Sequence, residues 1–420
     1  MQQVARRGGA VRGGRGTVHE MMPLEDAQAF VLEQCPARAP VELAGVEATG
    51  LVLAAPVVSH EQVPPFDNTA VDGYAVRAAD VADPPAELTV VGEIAAGDAP
   101  DRPVGRGEAI RIMTGAPMPE GADAVVMVED SEMIGDSTVR LSASVEPGSA
   151  IRSAGDDVQV GDEVVPAGIE ITPPVLGVLA TVNAQRVSVH PRLTVAVLST
   201  GDELVDDGSP LRLGQIRESN KSMLVGLVAD TGCEVIDLGV VADDEDELER
   251  VLRDVVGRCD AVVSSGGVSM GDYDVVKAVL GRIADMTWMQ LAIKPAKPFA
   301  FGKLDGVPIF GLPGNPVSSL VSFELLARPA LRRMMGHRRL TRQNLVAVVD
   351  DDLRRRPDGK THFMRVTGAF ADDGRFHVRP VAAQGSHQLA ATATADAMAV
   401  VPDGEGIDAG AEVAVLLLRG

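Results

Sequence analysis

Three stretches of this chain combine glycine, hydroxyl and carboxylate residues in a way that could hold an anion or a heterocycle. Residues 264–274 read SSGGVSMGDYD and follow a short apolar run. Gly266, Gly267 and Gly271 let backbone N–H groups approach an anion closely, because no Cβ stands in the way. Ser269 adds a hydroxyl. Asp272 and Asp274 could hold a metal or the donor edge of a heterocycle. Residues 199–203, STGDE, and 311–318, GLPGNPVS, have a similar character. In the third stretch Pro316 suits a first helical position. Gly314 and Asn315 precede it, and Ser318 and Ser319 stand in a first turn, where an anion is favoured. Any one of these stretches also fits an ordinary turn between strand and helix. Three on one rim point to a ligand site.

The basic side comes from KPAKP at 294–298. Lys294 and Lys297, three apart and held by prolines that include Pro298, suit a phosphate or another oxyanion. The carboxylates Asp202, Glu203, Asp243, Asp272 and Asp274 then need a reason to sit beside an anion. A bridging Mg²⁺ is one, since it takes one or two carboxylates plus phosphate oxygens. The guanidine-like donor edge of a pterin is another. Asp244 reads instead as the cap of a helix. Other chemistries lack their residues: no Cys/His set has zinc spacing, and neither a Walker A sequence nor a G-x-G-x-x-G opening the first helix is present. Residues 267–271 fit the letters of G-x-S-x-G, yet no base partner for Ser269 can be identified.

These loops need a rigid scaffold, and the periodicity supplies one. Between Leu193 and Met335 short apolar strands alternate with helical stretches at 220–230, 244–259, 275–283 and 316–335. Such alternation predicts a doubly wound, mostly parallel sheet, whose ligands bind at the carboxyl ends of its strands. The region from about Glu20 to Val58 reads as helical, with Leu24, Ala27, Phe30, Val31 and Cys35 on one face. Residues 88–141 read as a small β domain, 171–187 as helix, and 345–418 as a separate β domain, a small barrel. The domain boundaries expected are a disordered tail at 1–19, a discontinuous linker and dimerisation domain at 20–60 with 158–190, a β-rich domain at 61–157, the α/β domain at 191–337 and the C-terminal β domain at 340–420.

Composition narrows the partners. The formal net charge of −22 argues against nucleic acid, which needs a basic face. No apolar stretch approaches the length of a membrane span. The first sixteen residues carry four arginines but no apolar segment, unlike a secretory signal, and Met21 or Met22 is the natural start. Three widely spaced cysteines suggest a reducing cytoplasm.

The segments PPFDNTAVDGYAVR, RIMTGAPMPEGADAVV, STGDEL, SSGGVSMGDYD, KPAKPFAFGK and GLPGNPVS stand in the order found in MoeA-type molybdopterin molybdenumtransferases, the family that includes the C-terminal part of gephyrin. The chain resembles that family from about Met22 onwards. Its α/β domain alone also resembles the MogA/MoaB pterin-binding proteins and the CinA family. The resemblance implies four domains in a homodimer, with each site between the α/β domain of one subunit and the β domain of the other. The implied activity inserts molybdate into adenylyl-molybdopterin with release of AMP, in the presence of Mg²⁺. A MogA/MoaB-type adenylyltransferase is the implied upstream partner.

Carried over motif by motif, the resemblance assigns Asp72, Thr114, Arg152, Asp157, Glu203 and Asp274 to the catalytic site. Asp274, Asp243 and Glu203 become metal ligands. Gly266, Gly267, Ser269, Gly271, Asp243, Lys294, Lys297, Pro298, Gly314, Asn315, Pro316 and Ser318 become substrate contacts. Thr114, Arg152 and the lysines would face molybdate and phosphate oxygens. One departure stands out: Gln290 occupies a position four before Lys294 where the family often has a basic residue, which puts one inferred oxyanion contact in doubt. The alternatives are an inactive pterin-binding paralogue, or a CinA-like hydrolase of nucleotide pyrophosphates.

Overall fold

The structure is a computed structural model and describes residues 21–268 and 275–418. The assigned residues Ser269, Gly271, Asp272 and Asp274 lie outside the described residues, as does the N-terminal tail. The chain divides into two units, Pro40–Val189 and the remainder.

The larger unit is organised by a six-stranded sheet. In chain order its strands are β1 (Thr194–Thr200), β2 (Glu234–Val241), β3 (Ala261–Ser265), β4 (Asp285–Gln290), β5 (Pro298–Leu304) and β6 (Val307–Leu312). Their spatial order is β2-β1-β3-β6-β5-β4. The first four are mutually parallel, and β5 and β4 complete the edge antiparallel. Sequence periodicity did not single out the two antiparallel strands, because the proline-rich lysine segment separates them.

Alternation along β1 makes the sheet two-sided. Val195 and Val197 face one core with Leu224 and Val228 of the helix Asn220–Asp230. Ala196 and Leu198 face the other, with Leu248, Leu252 and Val255 of the helix Glu245–Val256 and Val276, Val279 and Leu280 of the helix Val275–Ile283. Each fully buried aliphatic side chain of this kind contributes about 1.5–3 kcal/mol. Asp244 caps its helix by accepting from the Glu247 N–H at 2.8 Å.

The N-terminal helix spans Leu24–Gln34 and buries Ala27 and Val31 in the same core. It stops there, although the sequence pattern suggested helix as far as Val58. Pro36 and Pro40 interrupt it, and Val41–Ala44 is a strand. That strand pairs antiparallel with residues 186–189, so the helix expected across 171–187 is confined to Pro173–Thr181. The smaller unit also holds a six-stranded mixed sheet built from residues 73–141 and two short antiparallel pairs, 68–69 with 151–152 and 57–58 with 163–165.

The last strands of the larger unit, β7 (Asn344–Val349), β8 (Thr361–Phe370), β9 (Phe376–Pro380), β10 (Ala397–Val401) and β11 (Glu412–Leu417), pair in the cycle β8-β9-β7-β11-β10-β8. The result is a closed five-stranded barrel, which leaves no free strand edge within the ring. Ile293–Lys294 adds a short parallel strand to its outside, pairing with Thr361 and His362.

Candidate functional site

Sheet register places the loops. Ser199 of β1 lies opposite Ser265 of β3, and Ser265 opposite Leu312 of β6. Thr200 lies opposite Val241 of β2. Four strands therefore end on one rim, and their loops line a cavity of about 540 Å³. Glu203, Asp243, Gly266, Gly267, Gly314, Asn315 and Pro316 all contribute to it. Gly266 has φ +96°, and a Cβ there would come within 3.0 Å of the Thr200 carbonyl oxygen. Only glycine permits this turn without strain.

Two further residues tie the rim together and were not singled out in the sequence. Asn220 Nδ2 donates to Ser265 Oγ at 2.8 Å and to the Gly314 carbonyl at 2.7 Å. It thus joins the ends of β3 and β6 to the start of a helix. Buried Glu218 accepts from Ser199 Oγ at 3.0 Å and from the Lys221 N–H at 2.6 Å. That carboxylate satisfies the start of the helix, leaving Glu203 and Asp243 as the other carboxylates on the cavity wall among the described residues. The signal was present in RESNK at 217–221, but its partners lie 45 and 94 residues away from Asn220.

Lys294, Lys297, Pro298 and Ser318 line a different cavity, of about 790 Å³, between the α/β layer and the barrel. Buried Ala296 takes a left-handed φ of 75°, and both flanking lysines are exposed. The barrel supplies Arg354, Arg355, Arg356, Lys360 and His362, so six Lys or Arg side chains and one carboxylate, Asp358, line it. Arg354 is also paired with Asp352 and Asp408, and Arg355 with Asp403. Burial pushes His362 below its ordinary pKa against the pull of Asp358. Burial works in the opposite direction on Asp358, but His362, Lys360 and Arg355 outweigh it and hold that carboxyl below its ordinary value. The two cavities share a wall. Pro316 and His387 face the first, Ser318 and Ser386 the second, and the Val317 N–H donates to the Ser386 carbonyl at 3.0 Å.

Gln290 lines neither cavity. It sits on β4 opposite Pro298, and its carbonyl accepts from the Met22 N–H at 2.7 Å. The cavity's other cations come from RRRPDGK at 354–360, a basic run in an acidic chain that the sequence displayed but did not connect to the lysines.

The smaller unit gathers its own loops. Arg152 pairs in register with Asn68, and Asp67 Oδ1 accepts from the Ala154 N–H at 2.7 Å. Asp72 Oδ1 accepts from both the N–H and the hydroxyl of Thr114, each at 2.7 Å. These two bonds, the backbone one foremost, hold the Asp72 carboxyl below its ordinary pKa. The Thr114 hydroxyl proton is therefore engaged with Asp72, which leaves its oxygen as an acceptor. The Asp157 N–H donates to the Val63 carbonyl at 2.9 Å, so the AIRSAGDD loop is anchored at both ends.

The residues also bear on whether magnesium fits. Among the described residues no cluster of three or more His, Cys, Asp or Glu could hold a metal alone. Glu203 and Asp243 face one cavity, and one or two carboxylates completed by phosphate oxygens and water suit this ion. The donor set fits a magnesium that arrives with a phosphorylated substrate.

A doubly wound sheet with a loop-built rim, beside a barrel that helps to line a basic cavity, has the layout of an α/β ligand-binding protein. Three family models cover the chain in order: the MoeA N-terminal region (domains I and II) over residues 22–183, a probable molybdopterin-binding domain over 196–333, and the MoeA C-terminal region (domain IV) over 347–418. The chain is 38% identical over 397 residues to the molybdopterin molybdenumtransferase of Haemophilus influenzae, covering 94% of this chain and 98% of that one. It is 39% identical over 393 residues to molybdopterin molybdenumtransferase 2 of Mycobacterium tuberculosis, covering 91% and 96%. Two crystal structures of the molybdopterin biosynthesis MoeA protein from Pyrococcus horikoshii superpose with TM-scores of 0.81 and 0.79 at 32% and 30% identity. They cover 96% and 95% of this chain and all of theirs. The chain belongs to the MoeA family of molybdopterin molybdenumtransferases.

Proposed function

We propose that this protein inserts molybdate into adenylylated molybdopterin and releases AMP, as a step of molybdenum cofactor biosynthesis. The observation that carries this reading is the pair of adjoining cavities. One is rimmed by glycine loops and carboxylates, the other holds six cationic side chains, and they share the wall from Gly314 to Ser318. A pterin and its phosphoanhydride suit the first. A tetrahedral oxyanion suits the second, beside Lys294 and Lys297.

In this reading a molybdate oxygen or a water attacks the adenylyl phosphorus, the P–O bond to the molybdopterin phosphate breaks, and molybdopterin keeps its own phosphate. AMP leaves with the attacking oxygen, while the two dithiolene sulfurs replace oxygens on molybdenum, which depart with AMP or as water. The protein contributes position and electrostatics, so no nucleophilic side chain is required. Glu203 and Asp243 would hold magnesium, together with Asp274. When bound, magnesium would offset the charge on the phosphate oxygens. Asp72, Thr114, Arg152 and Asp157 act from the smaller unit of a partner subunit, in a cytoplasmic homodimer fed by a MogA/MoaB-type adenylyltransferase.

The test is turnover of adenylyl-molybdopterin with purified protein, Mg²⁺ and low molybdate, following AMP and metal-loaded cofactor together. Equal, molybdate-dependent amounts of both support the transferase. Pterin binding without either product would make the protein a carrier. Hydrolysis of nucleotide pyrophosphates without any pterin would favour a hydrolase, a reading that leaves the matched N- and C-terminal regions unexplained.

A further inference from the structure

The basic cavity contains an anion of its own. Asp358 is its one carboxylate among the described residues, and it sits amid the cations. Its Oδ1 lies 2.7 Å from the Arg355 guanidinium and 3.2 Å from His362 Nε2. Its Oδ2 lies 3.6 Å from Lys360 Nζ and 4.0 Å from Lys294 Nζ. The Asp358 side chain remains 28% exposed, so one side of it faces the cavity. Its removal would leave the walls standing. Arg355 is also held by the Lys360, Val401 and Pro402 carbonyls and by Asp403 Oδ1 at 2.7 Å. Asp403 accepts from the Asp358 N–H at 3.0 Å and so fixes the loop backbone independently of the carboxylate.

We propose that Asp358 is a built-in counter-anion that competes with the oxyanion substrate for this cation cluster and sets its affinity. The proposal rests on the reading that the basic cavity takes the oxyanion. Its physical logic follows from transfer. An oxyanion that must move on to a second reactant gains nothing from being held more tightly before the reaction than during it. Arg354 already pairs with Asp352 and Asp408, and Arg355 with Asp403. Without Asp358, Lys294 and Lys360 would lose the carboxylate they face and hold a dianion more tightly. A carboxylate that returns as the oxyanion leaves lowers the barrier to its departure.

The experiment measures molybdate and tungstate binding to the full-length protein by calorimetry, at low and high salt. Wild type is compared with Asp358→Asn, Asp358→Ser and Lys297→Ala. Both Asp358 variants are expected to bind molybdate about tenfold more tightly than wild type, about 1.4 kcal/mol. The gap should shrink at high salt, as screening weakens it. In turnover their molybdate KM should fall while kcat does not rise. If wild type binds molybdate, Lys297→Ala weakens it, and the Asp358 variants bind equally or less tightly, the proposal is overturned and the cavity assignment stands. If molybdate binds to none of these proteins, or Lys297→Ala leaves binding unchanged, the cavity assignment fails and takes the proposal with it.

Discussion

Replacing Asn220 tests whether the rim acts as one assembled device. Its amide joins Ser265 at the end of β3 to Gly314 beyond β6, with bonds of 2.8 and 2.7 Å. Each such bond contributes about 1 kcal/mol net, so Asn220→Ala should cost about 2 kcal/mol. In a chain of 420 residues that lowers Tm by roughly 2–4 °C. Turnover should suffer more than stability. Both loops border the cavity, and a misplacement of about 1 Å can cost about a hundredfold in rate. Asn220→Asp separates positioning from folding. Its carboxylate would face the Gly314 carbonyl oxygen with no proton to donate. Protonated, it regains an O–H donor of nearly the same shape. The kcat of Asn220→Asp should therefore recover towards acid pH relative to wild type, while Asn220→Ala shows no such recovery. Wild-type kcat in Asn220→Ala with an unchanged Tm would refute the reasoning.

Other expectations follow from particular contacts. Glu324 is 1% exposed and accepts two bonds from Arg342, at 2.9 and 3.0 Å. Asp230 still pairs with Arg342 at 2.7 Å, so Glu324→Gln, which removes the buried charge but keeps an acceptor, should cost about 1–2 kcal/mol in urea unfolding. Burial, reinforced by Arg332 and Arg328, pushes His337 down to about 4. The unfolded chain then takes up a proton at this site before the folded one does. Stability from this residue is complete above about pH 6.5 and is lost as pH falls towards 4, by roughly 2 kcal/mol after allowing for partial exposure. His337→Gln should flatten the urea midpoint across that window. Gln290→Lys should leave the molybdate KM unchanged, because residue 290 lines neither cavity; a several-fold drop would show that the side chain reaches the oxyanion.

The parts of this molecule that sequence revealed are those governed by short-range periodicity. The helix Asn220–Asp230 and the strands around it repeat with periods that any amphipathic element must show, and the glycine loops announce themselves at strand ends. What sequence concealed depends on pairing at a distance. Val41–Ala44 becomes a strand because residues 186–189 are available to pair with it, across about 145 residues. The same cause hid the basic cavity. Lys294 looked like half of a two-lysine site until the parallel pairing of Lys294 with His362 brought Lys360 and Asp358 beside it.

That pairing also bears on how one chain accommodates two anions of different kinds. A net charge of −22 would repel a phosphorylated substrate and an oxyanion alike at long range. The fold answers locally and differently in each cavity. At the rim, Glu218 is bonded to the N–H of Lys221 and to Ser199, so its charge is engaged by the protein. In the second cavity, cations drawn from two parts of the chain surround Asp358, which pairs with Arg355 and lies 3.6 Å from Lys360 Nζ and 4.0 Å from Lys294 Nζ. The lysine segment could not have done this alone. Its pairing with β8 matters because it delivers the counter-charge with the charge: the same barrel segment that brings Arg355 and Lys360 brings Asp358. A change that loosened this edge, rather than one that removed a single lysine, would be expected to disturb affinity and release together.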